Sequence, residues 1–174
     1  RCSKPRTGIC AEGKVLSFEP SPRNYDLLSK NASASSVANI STFKLALGEV
    51  EQTAVSVEVD PINVGASKVD LISARDAPPE AAVRVTTLDK LALERVDFIK
   101  LDLEGAELSA LRGSIKTLKK HHPVVFTEVN RVEESAGVFQ FMKQHGYFCY
   151  GVNSFAFNDK NFAGSKRDTF SGAS

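Results

Sequence analysis

The sequence predicts an α/β fold: a doubly wound, mainly parallel β-sheet with helices on both sides. Apolar strand-like segments alternate with amphipathic helix-like segments, and three of the strand-like segments end at an acidic residue. The 174 residues, 42% of them hydrophobic and 25% charged, suit one globular domain with a sizeable core. We therefore expect a single domain over residues 1–174, with poorly ordered ends at 1–13 and 159–174.

The first half of the chain opens with a strand that ends at Glu19. Ser21 is placed to cap the helix that follows, and Tyr25, Leu27 and Leu28 are expected to face the sheet. In order, the predicted elements are a strand over 14–20, a helix over 22–31, strands over 40–47 and 53–59, and a loop over 60–79. The alternating pattern of 53–59 indicates a half-exposed strand at the sheet edge, and the loop is long enough to form a lid.

The second half repeats the alternation of strand and helix. In order, we predict a strand over 83–86, a short helix over 87–91 capped by Thr87, a strand ending at Asp102, a helix from 106 to about 120, a strand over 123–129, a helix over 133–145, and an antiparallel closing pair of strands over 146–150 and 154–157. On the helix over 133–145, Val138, Phe141 and Met142 share one face.

The stretch from Asp97 to Glu107 is the centre of the prediction. Its strand is a nearly continuous apolar run, as expected when helices cover both faces of a parallel sheet, and its members are Val96, Phe98, Ile99, Leu101 and Leu103. The period then changes to that of a helix with one apolar stripe, formed by Leu108, Leu111, Ile115 and Leu118. Strand, acidic edge, glycine turn and helix together predict half of a βαβ unit.

Glu19, Asp102 and Glu128 each end a predicted strand. If the strands are parallel, the three carboxylates reach the same edge of the sheet, where ligands bind in open α/β folds. An acid in the position of Glu19 is suited to accept hydrogen bonds from ribose hydroxyls, although a solvated turn acid is the alternative. Asp102 and Glu104 are either catalytic carboxylates or caps of the next helix.

Composition excludes several classes of function. Lys plus Arg is 22 and Asp plus Glu is 21, so the net charge of 22 − 21 = +1 gives no basic footprint for nucleic acid. No apolar run approaches a membrane span of about 18 residues. Three cysteines form neither a disulfide framework nor a zinc site, which favours a reducing, cytoplasmic compartment. No metal ligand set is predicted.

Several motifs, in this order, resemble the FkbM-type methyltransferases over about residues 13–157. The matching segments are Phe18-Glu19-Pro20, Ala46-Leu47-Gly48, Asn63-Val64-Gly65, Thr87-Leu88-Asp89, the run from Lys100 to Glu107 with Leu111-Arg112-Gly113, and the strand from Pro123 to Glu128. The Lys-x-Asp-x-Glu-Gly-x-Glu run is the most specific of them. The family's glycine-rich first motif has no counterpart here, so we expect the first strand of the fold to be missing and the natural protein to begin upstream of Arg1.

This resemblance implies a class I, Rossmann-like fold that uses S-adenosylmethionine to methylate the hydroxyl of a sugar or other small metabolite. By the same resemblance Glu19 would hold the ribose hydroxyls, and Pro20 and Ala46 would line the adenine side. Asp102 would stand near the methionine part and the transferring methyl group. For catalysis, Asp102 is the first candidate to take the hydroxyl proton and Glu104 the second.

Three other interpretations stay open from the residues alone. A divalent cation held by Asp102, Glu104 and Glu128 would indicate a metal-dependent enzyme. A truncated or decayed chain would act without catalysis, as a binding or scaffold module. An NAD-dependent oxidoreductase shares the acid at Glu19 but also needs the absent glycine-rich turn. The sequence identifies neither the methyl acceptor nor the oligomeric state.

Overall fold

In a computed structural model of the chain, the residues described are 13–35, 39–58, 67–70, 82–128 and 132–152. Their elements, in chain order, are β1 (Val15–Phe18), α1 (Pro22–Ala34), β2 (Ile40–Phe43), β3 (Ala46–Leu47), β4 (Gln52–Glu58), β5 (Ser67–Asp70), β6 (Ala82–Thr86), a 3-10 helix (Leu88–Leu91), β7 (Phe98–Leu101), α2 (Glu107–Arg112), α3 (Ile115–His121), β8 (Val124–Thr127) and α4 (Val132–Gln144). Both predicted poorly ordered ends lie, except for Gly13, outside these residues.

The strands form three small sheets instead of the single doubly wound sheet that we predicted. β1 pairs with β2 and β7 pairs with β8, both in parallel, while the third sheet has the order β3-β6-β4-β5. Within the described residues no strand joins β1 to β7, so each of these strands is hydrogen-bonded to a neighbour on one side only. The prediction of parallel strands is therefore correct for the β1–β2 and β7–β8 pairs. The prediction of one continuous sheet is wrong for the described strands.

The four-stranded sheet is mixed because β4 runs antiparallel to both of its neighbours. β4 pairs with β5 and β6, whereas β3 joins β6 in parallel. The predicted strand over 53–59 is confirmed, but it lies inside the sheet order instead of at its edge. The small core of this sheet is formed by Ala46, Ala54, Val83 and Val85. Ser67–Asp70 is a strand within the predicted loop over 60–79; the remainder of that loop, including Asn63-Val64-Gly65, lies outside the described residues.

Among the residues that the structure describes, helices cover the β7–β8 pair on one face only. On the covered side, Leu101 belongs to a core with Leu111, Leu118, Val138 and Met142, against which Ile99 and Val125 pack. On the opposite face Phe98, Val124 and Phe126 are 59%, 66% and 51% exposed. The prediction that helices cover both faces of the strand ending at Asp102 is therefore wrong, and its continuous apolar run did not distinguish the covered face from the uncovered one.

The predicted helix after Gly105 is divided into α2 and α3 at Gly113 and Ser114. A Cβ atom on Gly113 would lie 1.9 Å from the carbonyl oxygen of Gly48, because the two backbones touch at this point. Gly113 also accepts a hydrogen bond from the amide of Asp89 (3.1 Å) through its carbonyl group. The break therefore lets the end of β3 and the 3-10 helix pack directly on the connection between the two helices.

Local details of the prediction had mixed outcomes. The Thr87 hydroxyl accepts a hydrogen bond from the amide of Lys90 (3.2 Å), which confirms it as a cap. Ser21 begins α1 without a side-chain cap, and Leu27 is 52% exposed instead of facing the sheet.

The last described segment also differs from its prediction. Residues 146–150 form no strand, and residues 154–157, the other half of the predicted closing pair, lie outside the described part. Tyr147 and Cys149 nevertheless pack against the core beneath β7 and β8. The predicted helix over 133–145 is confirmed as α4, with Val138 and Met142 buried.

Among the described residues, no helix has the length and apolar character that crossing a membrane requires.

Candidate functional site

A cleft of about 460 Å³ lies where β1, β3 and β7 end. Its walls are formed by Phe18, Glu19, Pro20, Asn24, Leu45, Ala46, Leu47, Gly48, Gln52, Val85, Asp102, Leu103, Glu104, Gly105, Ala106 and Ser109. All of the predicted site residues are among them: Glu19, Pro20, Ala46, Asp102 and Glu104. A volume in this range is typical of sites for small ligands and cofactors.

Glu19 follows β1 directly and is held at the cleft wall by the turn into α1. Its Oε1 atom accepts a hydrogen bond from the amide of Ser21 (2.8 Å). Burial raises the pKa of the Glu19 carboxyl above its ordinary 4.5, and the Ser21 amide partly opposes this shift. Among the described residues, no Lys, Arg or His lies within ion-pair distance of Glu19. The carboxylate is therefore a partly desolvated acceptor without a cationic partner, suited to a ligand that donates hydrogen bonds.

Asp102 follows the last residue of β7 and is more open to solvent than Glu19. Its Oδ2 atom lies 3.2 Å from Nζ of Lys100, and about half of each side chain is exposed. An exposed pair of this kind adds little stability, on the order of 0–1 kcal/mol. The Lys100 ammonium can therefore be displaced or shared when a ligand approaches the carboxylate.

The turn after β7 has an unusual backbone. Glu104 has φ +50° and Gly105 has φ +103°, so two successive residues occupy the left-handed region that disfavours most side chains. Ala106 is the residue at the start of α2 and no side-chain cap is present there. Glu104 is thus not the helix cap that we considered as its alternative role, and it lines the cleft instead. A non-glycine residue in this region is most often found where function or local contacts enforce it.

The opposite wall is set by strand register. Val85 is paired with Ala46 on one side and with Gln52 on the other, so these three residues stand side by side across β3, β6 and β4 and all reach the cleft. Ala46 is buried, and Gln52 adds an amide to an otherwise apolar wall. Sequence reasoning found Ala46 by resemblance but missed Gln52, because only the pairing of distant strands brings the two together.

Two further polar residues of the cleft were missed. Asn24 lies in the first turn of α1, and Ser109 lies in α2, where its hydroxyl accepts a hydrogen bond from the amide of Glu49 (3.1 Å). The signal for Asn24 was present in the sequence, since a helix that begins at Pro22 places its first turn beside the acid that ends the preceding strand. No comparable signal existed for Ser109.

Glu128 and the histidines lie outside the cleft. Glu128 is hydrogen-bonded through its amide to the Leu101 carbonyl (3.0 Å), so it reaches the same end of the strands as Asp102, but it is exposed and does not line the cleft. His121 and His122 end α3, and His145 packs edge-on against Phe141. Within the described ranges, no group of three His, Cys, Asp or Glu side chains is arranged to hold a metal ion.

Comparisons with known proteins identify the family of this chain. Residues 9–149 match the family described as the Methyltransferase FkbM domain. The chain is also similar in structure to the methyltransferase FkbM from Methylobacillus flagellatus KT, with a TM-score of 0.51 and 20% sequence identity, which indicates a shared fold. The match covers 75% of this chain and 30% of that one, so the chain spans less than a third of the length of that protein. No curated protein matches the chain. Because the domain match covers most of its length, the chain belongs to the FkbM methyltransferase family.

Proposed function

We propose that the cleft binds S-adenosylmethionine and that the chain methylates a hydroxyl group of a sugar or other small metabolite. The observation that supports this most directly is the position of Glu19 and Asp102 on the walls of one cleft of cofactor size, at the ends of two different strands. Membership of a methyltransferase family supports the reaction class. The cofactor, the acceptor and the residue roles are parts of the proposal.

The chemistry of the cleft fits the cofactor. Only one oxygen of Glu19 accepts from the protein in the described residues, so the second is available to a ribose hydroxyl. Pro20, Ala46 and Val85 supply apolar surface next to this acid, as a nucleobase requires. On the other wall Asp102 and Glu104 place negative charge where a cationic sulfonium would be favoured.

When bound, S-adenosylmethionine supplies an electrophilic methyl group. The task of the protein is then to orient the acceptor hydroxyl and to exclude water from it. We assign the acceptance of the hydroxyl proton to Asp102, with Glu104 as the second candidate. The Lys100 ammonium lies 3.2 Å from the Asp102 carboxylate and can be displaced or shared when the acceptor arrives.

The proposal is tested by binding first and by turnover second. Isothermal titration with S-adenosylmethionine should show saturable binding to the chain, and S-adenosylhomocysteine formation should appear with some members of a panel of sugars and small hydroxylated metabolites. Asp102→Asn should then lower turnover by about 10²–10⁴-fold, the usual contribution of a general base. Glu94→Gln, a change at an exposed acid outside the cleft, is the matched control. Turnover of the Asn variant at the unmodified rate would reject the role of Asp102, and absence of saturable binding would reject the cofactor.

A further inference from the structure

Glu107 is a buried acid that the proposed function does not use. It is the first residue of α2, it is only 4% exposed, and it does not line the cleft. In the described residues it has no Lys, Arg or His partner within ion-pair distance. Burying an ionised carboxylate is costly unless hydrogen bonds compensate, so the hydrogen bonds of Glu107 must offset this cost.

Within the described ranges, the compensating hydrogen bonds all come from one turn. Oε1 of Glu107 accepts from the amide of Leu103 (2.8 Å) and, more weakly, from that of Gly105 (3.3 Å), while Oε2 accepts from the same Gly105 amide (3.1 Å). These two amides lie on either side of Glu104, the residue with φ +50°. The Glu107 carboxylate therefore holds the backbone before and after Glu104, the non-glycine residue of the turn with an unfavourable backbone conformation.

We infer that Glu107 is the positioning residue of the candidate site, an inference that rests on the proposed function for its catalytic consequence. By holding Leu103 and Gly105 it fixes the backbone that carries Asp102 and Glu104 and so sets where their carboxylates stand in the cleft. A carboxylate is needed because it has two acceptor oxygens, whereas an amide has one acceptor and one donor group that would oppose a backbone N–H.

The same contacts determine what kind of ligand the turn can bind. Consecutive backbone amides in a turn with left-handed residues often form a concave site for phosphate and other anions. Here the amides of Leu103 and Gly105 point to Glu107 and are already used. The turn therefore offers the cleft the carboxylates of Asp102 and Glu104, which favour cations and hydroxyl donors over phosphates.

The test compares Glu107→Gln with the unmodified chain by ¹H–¹⁵N NMR and by titration with S-adenosylmethionine. We expect the amide proton resonances of Leu103 and Gly105 to move upfield, because a charged acceptor is replaced by a neutral one, and the resonances of Asp102 and Glu104 to shift with them. The affinity for S-adenosylmethionine should fall by about tenfold, comparable to the loss of one charge-assisted hydrogen bond. Leu118→Val, which alters a fully buried side chain far along α3, controls for general destabilisation and should keep both the amide resonances and the affinity.

Each outcome decides one of the two proposals. Unchanged resonances for Leu103 and Gly105, or an unchanged affinity in a variant whose turn has moved, would overturn the positioning role. If the unmodified chain shows no saturable binding, the proposed function fails, and the resonances of Asp102 and Glu104 alone decide whether Glu107 positions them. If Glu107→Gln does not fold, amide hydrogen exchange in the unmodified chain replaces it: exchange at Leu103 and Gly105 as fast as at Glu104 would show that Glu107 does not hold these amides.

Discussion

Replacement of Glu19 by glutamine should change ligand affinity and the stability of the fold in different ways. The Oε1 atom of the glutamine can still accept from the Ser21 amide, so the turn into α1 should be kept. The second oxygen becomes an NH₂ group, which cannot accept from a ribose hydroxyl. We expect the loss of charge-assisted hydrogen bonding to weaken S-adenosylmethionine binding by about 1–3 kcal/mol, or about 5- to 150-fold in Kd. Isothermal titration measures this change, and Glu94→Gln serves as the control.

The pH dependence of stability provides an independent check on Glu19. Burial raises the pKa of this carboxyl in the folded chain above 4.5, its ordinary value. Its contribution to the free energy of unfolding is therefore fully present below about pH 4.5 and is lost as the pH rises through the folded-state pKa. At neutral pH the ionised group disfavours the fold, so Glu19→Gln should melt at the same temperature or higher while binding more weakly.

Ligand binding has the opposite pH dependence, because hydroxyl donors need the ionised carboxylate. In the unmodified chain the affinity should fall as the pH decreases through the raised pKa, and in the Gln variant this step should be absent. An equal Kd for the two proteins at neutral pH, or a lower melting temperature with unchanged affinity, would refute the reasoning about this residue.

Two further substitutions test the packing that supports the cleft. Gly113→Ala should destabilise the chain by about 3 kcal/mol or more, because the added Cβ would lie 1.9 Å from the Gly48 carbonyl oxygen and only a backbone shift can relieve the contact. Asp89→Ala should cost about 2–4 kcal/mol, because Asp89 caps α3 through its bond to the Thr117 amide (2.8 Å) and also accepts from the buried Thr117 hydroxyl (2.8 Å). Denaturant unfolding measures both changes in free energy.

Both packing predictions have matched controls. Gly151→Ala adds the same methyl group where nothing lies within 4 Å, and Asp26→Ala removes an exposed acid from α1. Each control should stay within about 0.5 kcal/mol of the unmodified chain. A Gly113→Ala variant as stable as Gly151→Ala would show that the Gly48 and Gly113 backbones do not touch, and an Asp89→Ala variant as stable as Asp26→Ala would show that α3 needs no cap from outside.

Local patterns predicted the elements of this fold well and their assembly poorly. The period of two over 53–59 gave a strand, and the stripe of Leu111 and Leu118 gave a helical core face. Periodicity carries no information on which strands pair, so the separation of the sheets and the antiparallel course of β4 were not foreseen. It also placed Phe98 in the interior, since apolar side chains on both faces of a strand look the same whether or not each face is covered.

The sequence could predict those residues of the candidate site that directly follow a strand. Glu19 and Asp102 each follow a strand and both line the cleft, although β1 and β7 belong to separate sheets. Glu128 meets the same criterion and lies outside, since the cleft is bounded by the turn after β7 and does not extend to β8. Gln52 depends on register between distant strands, and the role inferred for Glu107 depends on a backbone turn, so neither was available from residue types and spacing.

The uncovered face of the β7–β8 pair affects how this chain behaves in solution. Phe98, Val124 and Phe126 share that face because Phe98 pairs with Val124 and the next outward position of β8 is Phe126. Each of these residues is more than half exposed, and among the described strands β7 has a neighbour on one side only. Exposed apolar faces and open strand edges favour self-association, so we expect this chain to associate as its concentration rises. Apparent melting temperatures and ligand affinities of this chain should then depend on the protein concentration at which they are measured, and dilute samples should report most directly on the single molecule.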